Sequence, residues 1–158
     1  MHPRAAAFAD RARERHEFNP EVQQFDAGTR TAEAAAAAIG CRVAQIASSL
    51  VFDADGDLVV VVTSGANRVD EGQLAAVHGA TSLSMADADR VKRELGWAIG
   101  GVPPICHETS VPVYVDETLL EYDTVWTAAG TPEAVFPIAP DELLELTGGT
   151  VVSVTGGG

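Results

Sequence analysis

Lysine is all but missing from this chain: Lys92 stands alone in 158 residues, and arginine supplies the other basic side chains. Set against 23 acids, the 10 basic groups leave a formal net charge of −13. A surface this acidic keeps a protein soluble and repels nucleic acid at low salt, so no DNA partner is expected. Many acids with little lysine also suit a very salty solvent, where charges are screened within about 3 Å at 1 M. Cysteine is scarce too. Cys41 and Cys106 lie far apart and make no disulfide framework, so two separate reduced thiols are expected. No apolar run approaches the ~20 residues that cross a bilayer, so no membrane partner is expected. The start at Met1-His2-Pro3-Arg4 has no secretory core, and Asp10, Glu14 and Glu17 oppose a transit peptide. The cytoplasm is the expected compartment. Nucleophile elbow, P-loop, zinc-ligand spacing and a GxGxxG turn after a strand are all absent, so neither cofactor nor metal is expected. Asp53, Asp55 and Asp57 begin like a calcium loop, but Ser64 occupies the position where its bidentate glutamate belongs.

What is present describes a globular chain. Hydrophobic residues make up 46% and charged residues 21%, enough for one domain over residues 1–158 with a real core. Residues 3–17 read as a helix and 21–25 as a short strand. Thr31 caps an alanine-rich helix that Gly40 ends. Two β-branched runs, 43–52 and 58–63, form a hairpin around Asp53–Asp57, read as a solvated turn. Helices follow at 70–78, opened by Asp70, and at about 87–95. Strands are expected at 111–115, 124–128, 135–138 and 150–154, with a short helix from Pro140 to Leu146. Residues 155–158 read as a frayed tail. Strands irregularly mixed with short helices predict a mixed α/β domain.

One segment concentrates chemical potential. Gly100-Gly101-Val102-Pro103-Pro104-Ile105-Cys106-His107 joins two glycines, two prolines, a thiol and an imidazole. Glycine lets backbone approach a ligand closely and proline stiffens the loop, as a site that offers backbone N–H groups to a carbonyl requires. A stiff connector is the plain alternative. Cys106 and His107 point to opposite faces if extended, so they form no dyad. A second segment, Ser64-Gly65-Ala66-Asn67-Arg68-Val69-Asp70, leaves a strand and offers Arg68 to a phosphate, a carboxylate or a local acid. Trp97 and Trp126 read as core residues.

Taken together, these segments resemble the YbaK/ProX family of aminoacyl-tRNA deacylases, relatives of the editing domain of prolyl-tRNA synthetase. The similarity rests on Arg30-Thr31-Ala32-Glu33-Ala34-Ala35, Gln45-Ile46-Ala47-Ser48-Ser49-Leu50-Val51-Phe52 and Ser64 to Asp70. It continues through Gly100-Gly101-Val102-Pro103-Pro104 with His107, Val115-Asp116-Glu117-Thr118-Leu119-Leu120 and Ala129-Gly130-Thr131-Pro132, spanning about residues 30–154. The resemblance implies a mixed α/β domain whose central, partly barrel-like sheet carries flanking short helices. It implies hydrolysis of the ester between a wrong amino acid, typically cysteine or alanine, and proline tRNA. Partners would be mischarged tRNA and prolyl-tRNA synthetase. Gly101, Val102, Pro103, Pro104 and Ser48 would form the catalytic set. Ser49, Gly65, Asn67, Arg68, Gly100, His107 and Asp116 would bind substrate, although Asp116 reads equally well as the N-cap of residues 117–120.

The chain departs from the family at three places. Ser48 stands where a lysine is usual, Cys106 where a glycine is usual, and Pro103 where serine is often found. A serine cannot replace an ammonium on a four-carbon stem. Arg68 folding in is one substitute. A rival reading follows, in which the fold survives as an aminoacyl- or nucleotide-binding module that lost catalysis. Arg4, Arg11, Arg13 and Arg15 would serve as a tRNA patch or as a solvated helix face.

Overall fold

The computed structural model describes residues 2–25 and 31–155. Arg30 and the 156–158 part of the expected tail lie outside the described residues. Eight strands make one mixed sheet: β1 (Gln23–Gln24), β2 (Ile46–Ala54), β3 (Asp57–Ser64), β4 (Leu83–Met85), β5 (Val113–Asp116), β6 (Val125–Ala128), β7 (Ala134–Ile138) and β8 (Thr150–Val152). Their order is β1-β7-β6-β2-β3-β5-β8, with β4 added beside β2. The helices are α1 (Pro3–His16), α2 (Ala32–Ile39), α3 (Glu71–His78), α4 (Ala88–Leu95) and α5 (Pro140–Thr147).

Local chemistry sets most boundaries. Thr31 Oγ1 accepts from the Ala34 N–H at 3.1 Å, Asp70 from Gln73 N–H at 2.9 Å and Asp87 from Arg90 N–H at 3.2 Å. Each satisfies a donor that the first helical turn leaves free. The hairpin is tighter than the sequence suggests. Its ladder runs to the pair Ala54 and Asp57, leaving a two-residue turn of Asp55 and Gly56 at φ 52° and 102°. Two residues at positive φ match the twist of the flanking strands, which is why the strands extend so far. Residues 43–45, expected as strand, form a 3-10 turn instead. Strand β4 was not foreseen, because Leu-Ser-Met is too short to show a period.

Those hairpin aspartates are not simply solvated. Asp55 accepts from the Thr81 and Ser82 N–H groups at 2.7 and 2.9 Å, and Asp53 pairs with Arg90 at 2.8 Å. The two backbone hydrogen bonds, Thr81 first, hold the Asp55 carboxyl below its ordinary pKa. A carboxyl depressed in the folded state stabilises fully above its unfolded pKa, and that contribution is lost as pH falls through the folded value. An NMR titration of Asp55 should therefore give a midpoint below the ordinary ~3.9. The Thr81 and Ser82 amide shifts should move with it.

Residues Val59 to Val62 of β3 are buried on both faces, as a central strand flanked on both sides requires. On one face Phe8 of α1 stacks on Phe136 at 5.1 Å and meets Trp97 edge-on at 6.2 Å. Arg4 and Arg11 lie over the Trp97 ring at 4.7 and 5.0 Å. Cation–π contact of this kind ties α1 to the core. Arg13 pairs with Asp10 and Arg15 donates to the His107 carbonyl at 3.1 Å. Arg4 and Arg11 are thus tied to the core, whereas Arg13 and Arg15 remain exposed on the helix face.

Candidate active site

The site begins as a gap in strand pairing. On the edge of β2 away from β3, β6 pairs with Ile46 and Ala47, and β4 pairs with Phe52 to Ala54. Ser48 to Val51 have no neighbouring strand on that edge. The Val51 carbonyl there accepts from Ala86 N–H at 3.0 Å. Backbone groups alternate sides along a strand, so those of Ser49 face the same gap.

A cavity of about 180 Å³ opens at this gap. Ser48 to Val51 line it with Trp126, Thr127 and Ala128 of β6, Ala32 and Ala35 of α2, and Gly100 and Val102 of the glycine–proline loop. Met85 and Ile99, 51% and 45% exposed, belong to its rim. Trp126, expected in the core, is a half-buried wall instead, whereas Trp97 is fully buried. No charged side chain lines the cavity among the described residues. Two of its lining residues, Ser49 and Thr127, carry hydroxyl oxygens that are buried away from solvent with no hydrogen-bond partner among the described residues.

The loop enters the cavity through its backbone. Gly101 donates its N–H to the Ala98 carbonyl at 3.0 Å, and Pro103 and Pro104 have none to give. The N–H groups of Gly100 and Val102, the two loop residues that line the cavity, meet no backbone acceptor among the described residues. Gly100 turns at φ 92°. Gly101 does not line the cavity, because it packs on the segment 130–132: a Cβ there would lie 2.6 Å from Thr131 Cα. Pro103 and Pro104 lie outside it as well, so of the expected catalytic set only Val102 and Ser48 reach the cavity.

His107 sits behind the loop. Its Nε2 lies 2.8 Å from the Pro103 carbonyl, and since a carbonyl only accepts, the ring donates. Burial holds its pKa below the ordinary histidine value; the Pro103 bond opposes the shift and the Arg15 charge adds to it. His107 therefore braces the loop and lines no part of the cavity where it was expected as a substrate ligand. Cys106 is 4% exposed, and burial pushes its thiol up to about 11. It adopts φ 68°, a left-handed conformation that favours glycine, which accounts for the residue usual in the resembling family.

Four more expected ligands lie elsewhere. Asp116, 1% exposed, accepts from Ser64 N–H and Asn67 Nδ2 at 2.9 Å each, Thr63 Oγ1 at 3.2 Å and Thr118 N–H at 2.9 Å. It is the N-cap of the 3-10 turn Glu117–Glu121 and the anchor of the 64–67 turn. Asn67 completes that anchor through Thr118 Oγ1 at 2.8 Å. Gly65 is needed for closeness, since a Cβ would meet the Val43 carbonyl at 2.5 Å. Arg68 is exposed and lines no part of the cavity, so it does not replace the missing lysine there.

Residues 26–146 match the aminoacyl-tRNA editing domain family. The chain belongs to that family. A solved structure described as a "putative trans-editing enzyme for prolyl tRNA synthetase" superposes on this aminoacyl-tRNA editing domain with a TM-score of 0.93. It shares 41% identity and covers 99% of both chains. YwhH of Bacillus subtilis (strain 168), an uncharacterized protein, is 31% identical over 80% of this chain and 81% of its own. EbsC of Enterococcus faecalis (strain ATCC 700802 / V583), described as a "Putative Cys-tRNA(Pro)/Cys-tRNA(Cys) deacylase", is 27% identical over 79% of this chain and 77% of its own. The expected mixed α/β editing fold is the one found. Within this editing domain, Thr127, Trp126, Met85 and Ile99 are the cavity residues that sequence reasoning missed. The strand register Ala47 to Thr127 is what brings β6 to the site, and a single sequence does not display it.

Proposed function

We propose that this domain hydrolyses the ester of mischarged aminoacyl-tRNA, of the kind built on proline tRNA, in trans. One observation carries the reading: N–H groups of Gly100 and Val102 that meet no acceptor among the described residues border a small cavity lined, among those residues, by no ionisable side chain. An aminoacyl ester is already activated, so placing it and stabilising the developing oxyanion suffices for a large rate gain. Water attacks the carbonyl carbon, the carbonyl oxygen takes negative charge against the loop N–H groups, and the ribose oxygen leaves with a proton. Among the described residues no cavity side chain is a base, so the proton passes through the substrate's own ribose hydroxyl or amine. Ser48 and Ser49 line the pocket without the ammonium usual at position 48.

The absence of a cationic cavity residue among the described residues also favours the second reading, a module that binds the aminoacyl end without cleaving it. Single-turnover deacylation separates the two. Proline tRNA carrying cysteine, alanine, serine or threonine should be discharged faster than the spontaneous rate, at low or molar KCl. If every substrate in both salts decays at the spontaneous rate, the enzyme reading fails. Restored turnover in Ser48→Lys would then identify the missing ammonium as the cause.

A further inference from the structure

Trp97 stands at the start of the glycine–proline loop and touches both of its supports. The Leu95 carbonyl accepts from the Glu108 N–H at 3.1 Å, so residues 96–107 make a closed loop of the compact kind that packs on its own side chains. Trp97 is the largest of those side chains and is 0% exposed. Its Nε1 donates across the loop to the Cys106 carbonyl at 2.9 Å. Its ring lies against Gly130, where a Cβ would meet Trp97 Cζ3 at 2.7 Å, and the next residue, Thr131, is the one on which Gly101 rests. Helix α1 closes the back. Phe8 meets the indole edge-on, Arg4 and Arg11 lie over it, and Arg4 also donates to the Gly96 carbonyl.

The bond to Cys106 matters because Cys106 holds a φ of 68°, which a residue with a Cβ keeps only where its surroundings impose it. Relaxation of that turn would swing His107, whose Nε2 holds the Pro103 carbonyl at 2.8 Å, one residue from Val102. We propose that Trp97 is a positioning residue for deacylation. Its indole N–H locks the left-handed turn at Cys106 while its ring sets the 130–132 segment, and together these fix the Gly100 and Val102 N–H groups at the cavity. Trp97 lines no part of the cavity, so it acts through the loop. Arg15, on the exposed side of α1, adds a second and weaker hold through the His107 carbonyl at 3.1 Å. The inference rests on the deacylase reading for its effect on rate, and on the loop contacts alone for its effect on loop order.

Trp97→Phe keeps an apolar ring beside Phe8 and Gly130 and removes the donor. Single-turnover discharge of mischarged proline tRNA should slow about tenfold, with the half-saturating concentration unchanged. Hydrogen exchange of the Gly101 amide, bonded within the loop to the Ala98 carbonyl, should quicken by about the same factor. Val59→Ala, in the separate apolar cluster of Leu74 and Val152, should lower Tm and leave both readouts near native. Cys106→Gly, whose backbone accepts a φ of 68° freely, should restore most of the rate and of the Gly101 protection when added to Trp97→Phe. Arg15→Ala changes only an exposed side chain and so folds in any case. It should shift rate and exchange in the same direction by about threefold, and Arg15→Lys should reverse both. Rate and exchange in Trp97→Phe no further from native than in Val59→Ala, or no recovery on adding Cys106→Gly, overturn the proposal. If the native domain discharges no aminoacyl-tRNA, the deacylase reading alone has failed, and Gly101 exchange still decides whether Trp97 holds the loop.

Discussion

Asp116→Ala will destabilise the protein by about 4 kcal/mol, since it leaves several buried or part-buried donors without this acceptor at about 1–3 kcal/mol each. The donors are the main-chain N–H groups of Ser64 and Thr118 and the Asn67 amide, each at 2.9 Å, and they come from the 64–67 turn and the 3-10 turn that follows Asp116. For a chain of this size the loss lowers Tm by roughly 12 °C. Asp116→Asn should cost less. Three donors converge on Oδ2 and one on Oδ1, so the amide can turn its NH2 towards Thr118 and sacrifice a single bond. Urea unfolding of the two variants measures the order, alanine below asparagine below native. Deacylation per folded molecule should change little in either, because Asp116 lines no part of the cavity. Unaltered stability with lost turnover would move Asp116 back into the chemistry.

The contrast between Asp116 and Ser49 shows what a sequence can and cannot tell about a site. Caps, helix ends and the hairpin were legible because their causes are local. Thr31, Asp70 and Asp87 each bond to a residue three positions on, and Asp55-Gly56 closes its own turn. The glycine–proline loop was legible as a stiff element that offers backbone. Its division of labour was not, because that depends on contacts about thirty residues away: Thr131 excludes a side chain from Gly101, while Gly100 and Val102 face the cavity. The motif around Asn67 misled for a related reason. A polar cluster that folds onto a buried carboxylate reads in one dimension like a cluster awaiting a ligand. The cavity itself comes from β6 and β4 covering different parts of β2, and such a gap is a property of register between distant strands. The arginines of α1 illustrate the same limit, since Trp97 lies about ninety residues from the side chains stacked on it.

Gly101→Ala supplies the second large effect, and its pattern tells packing from chemistry. The added Cβ would sit 2.6 Å from Thr131 Cα, 2.9 Å from its nitrogen and 3.0 Å from its carbonyl carbon. All three are backbone atoms, so no rotamer change relieves the contact and the two loops must separate. Overpacking of this kind costs about 3 kcal/mol, or roughly 9 °C in Tm. Separation also shifts Gly100 and Val102, whose N–H groups border the cavity, so turnover falls together with stability. Gly100→Ala behaves differently. Its Cβ would meet Pro132 Cγ at an ordinary 3.4 Å, and the cost is the φ of 92°, about 1–2 kcal/mol for any L-residue. Thermal unfolding and single-turnover deacylation of both variants give the decisive comparison. If Gly101→Ala keeps its Tm and loses turnover alone, a side chain there blocks substrate. Coupled loss makes Gly101 the hinge pin that holds the carbonyl-binding backbone against residues 130–132.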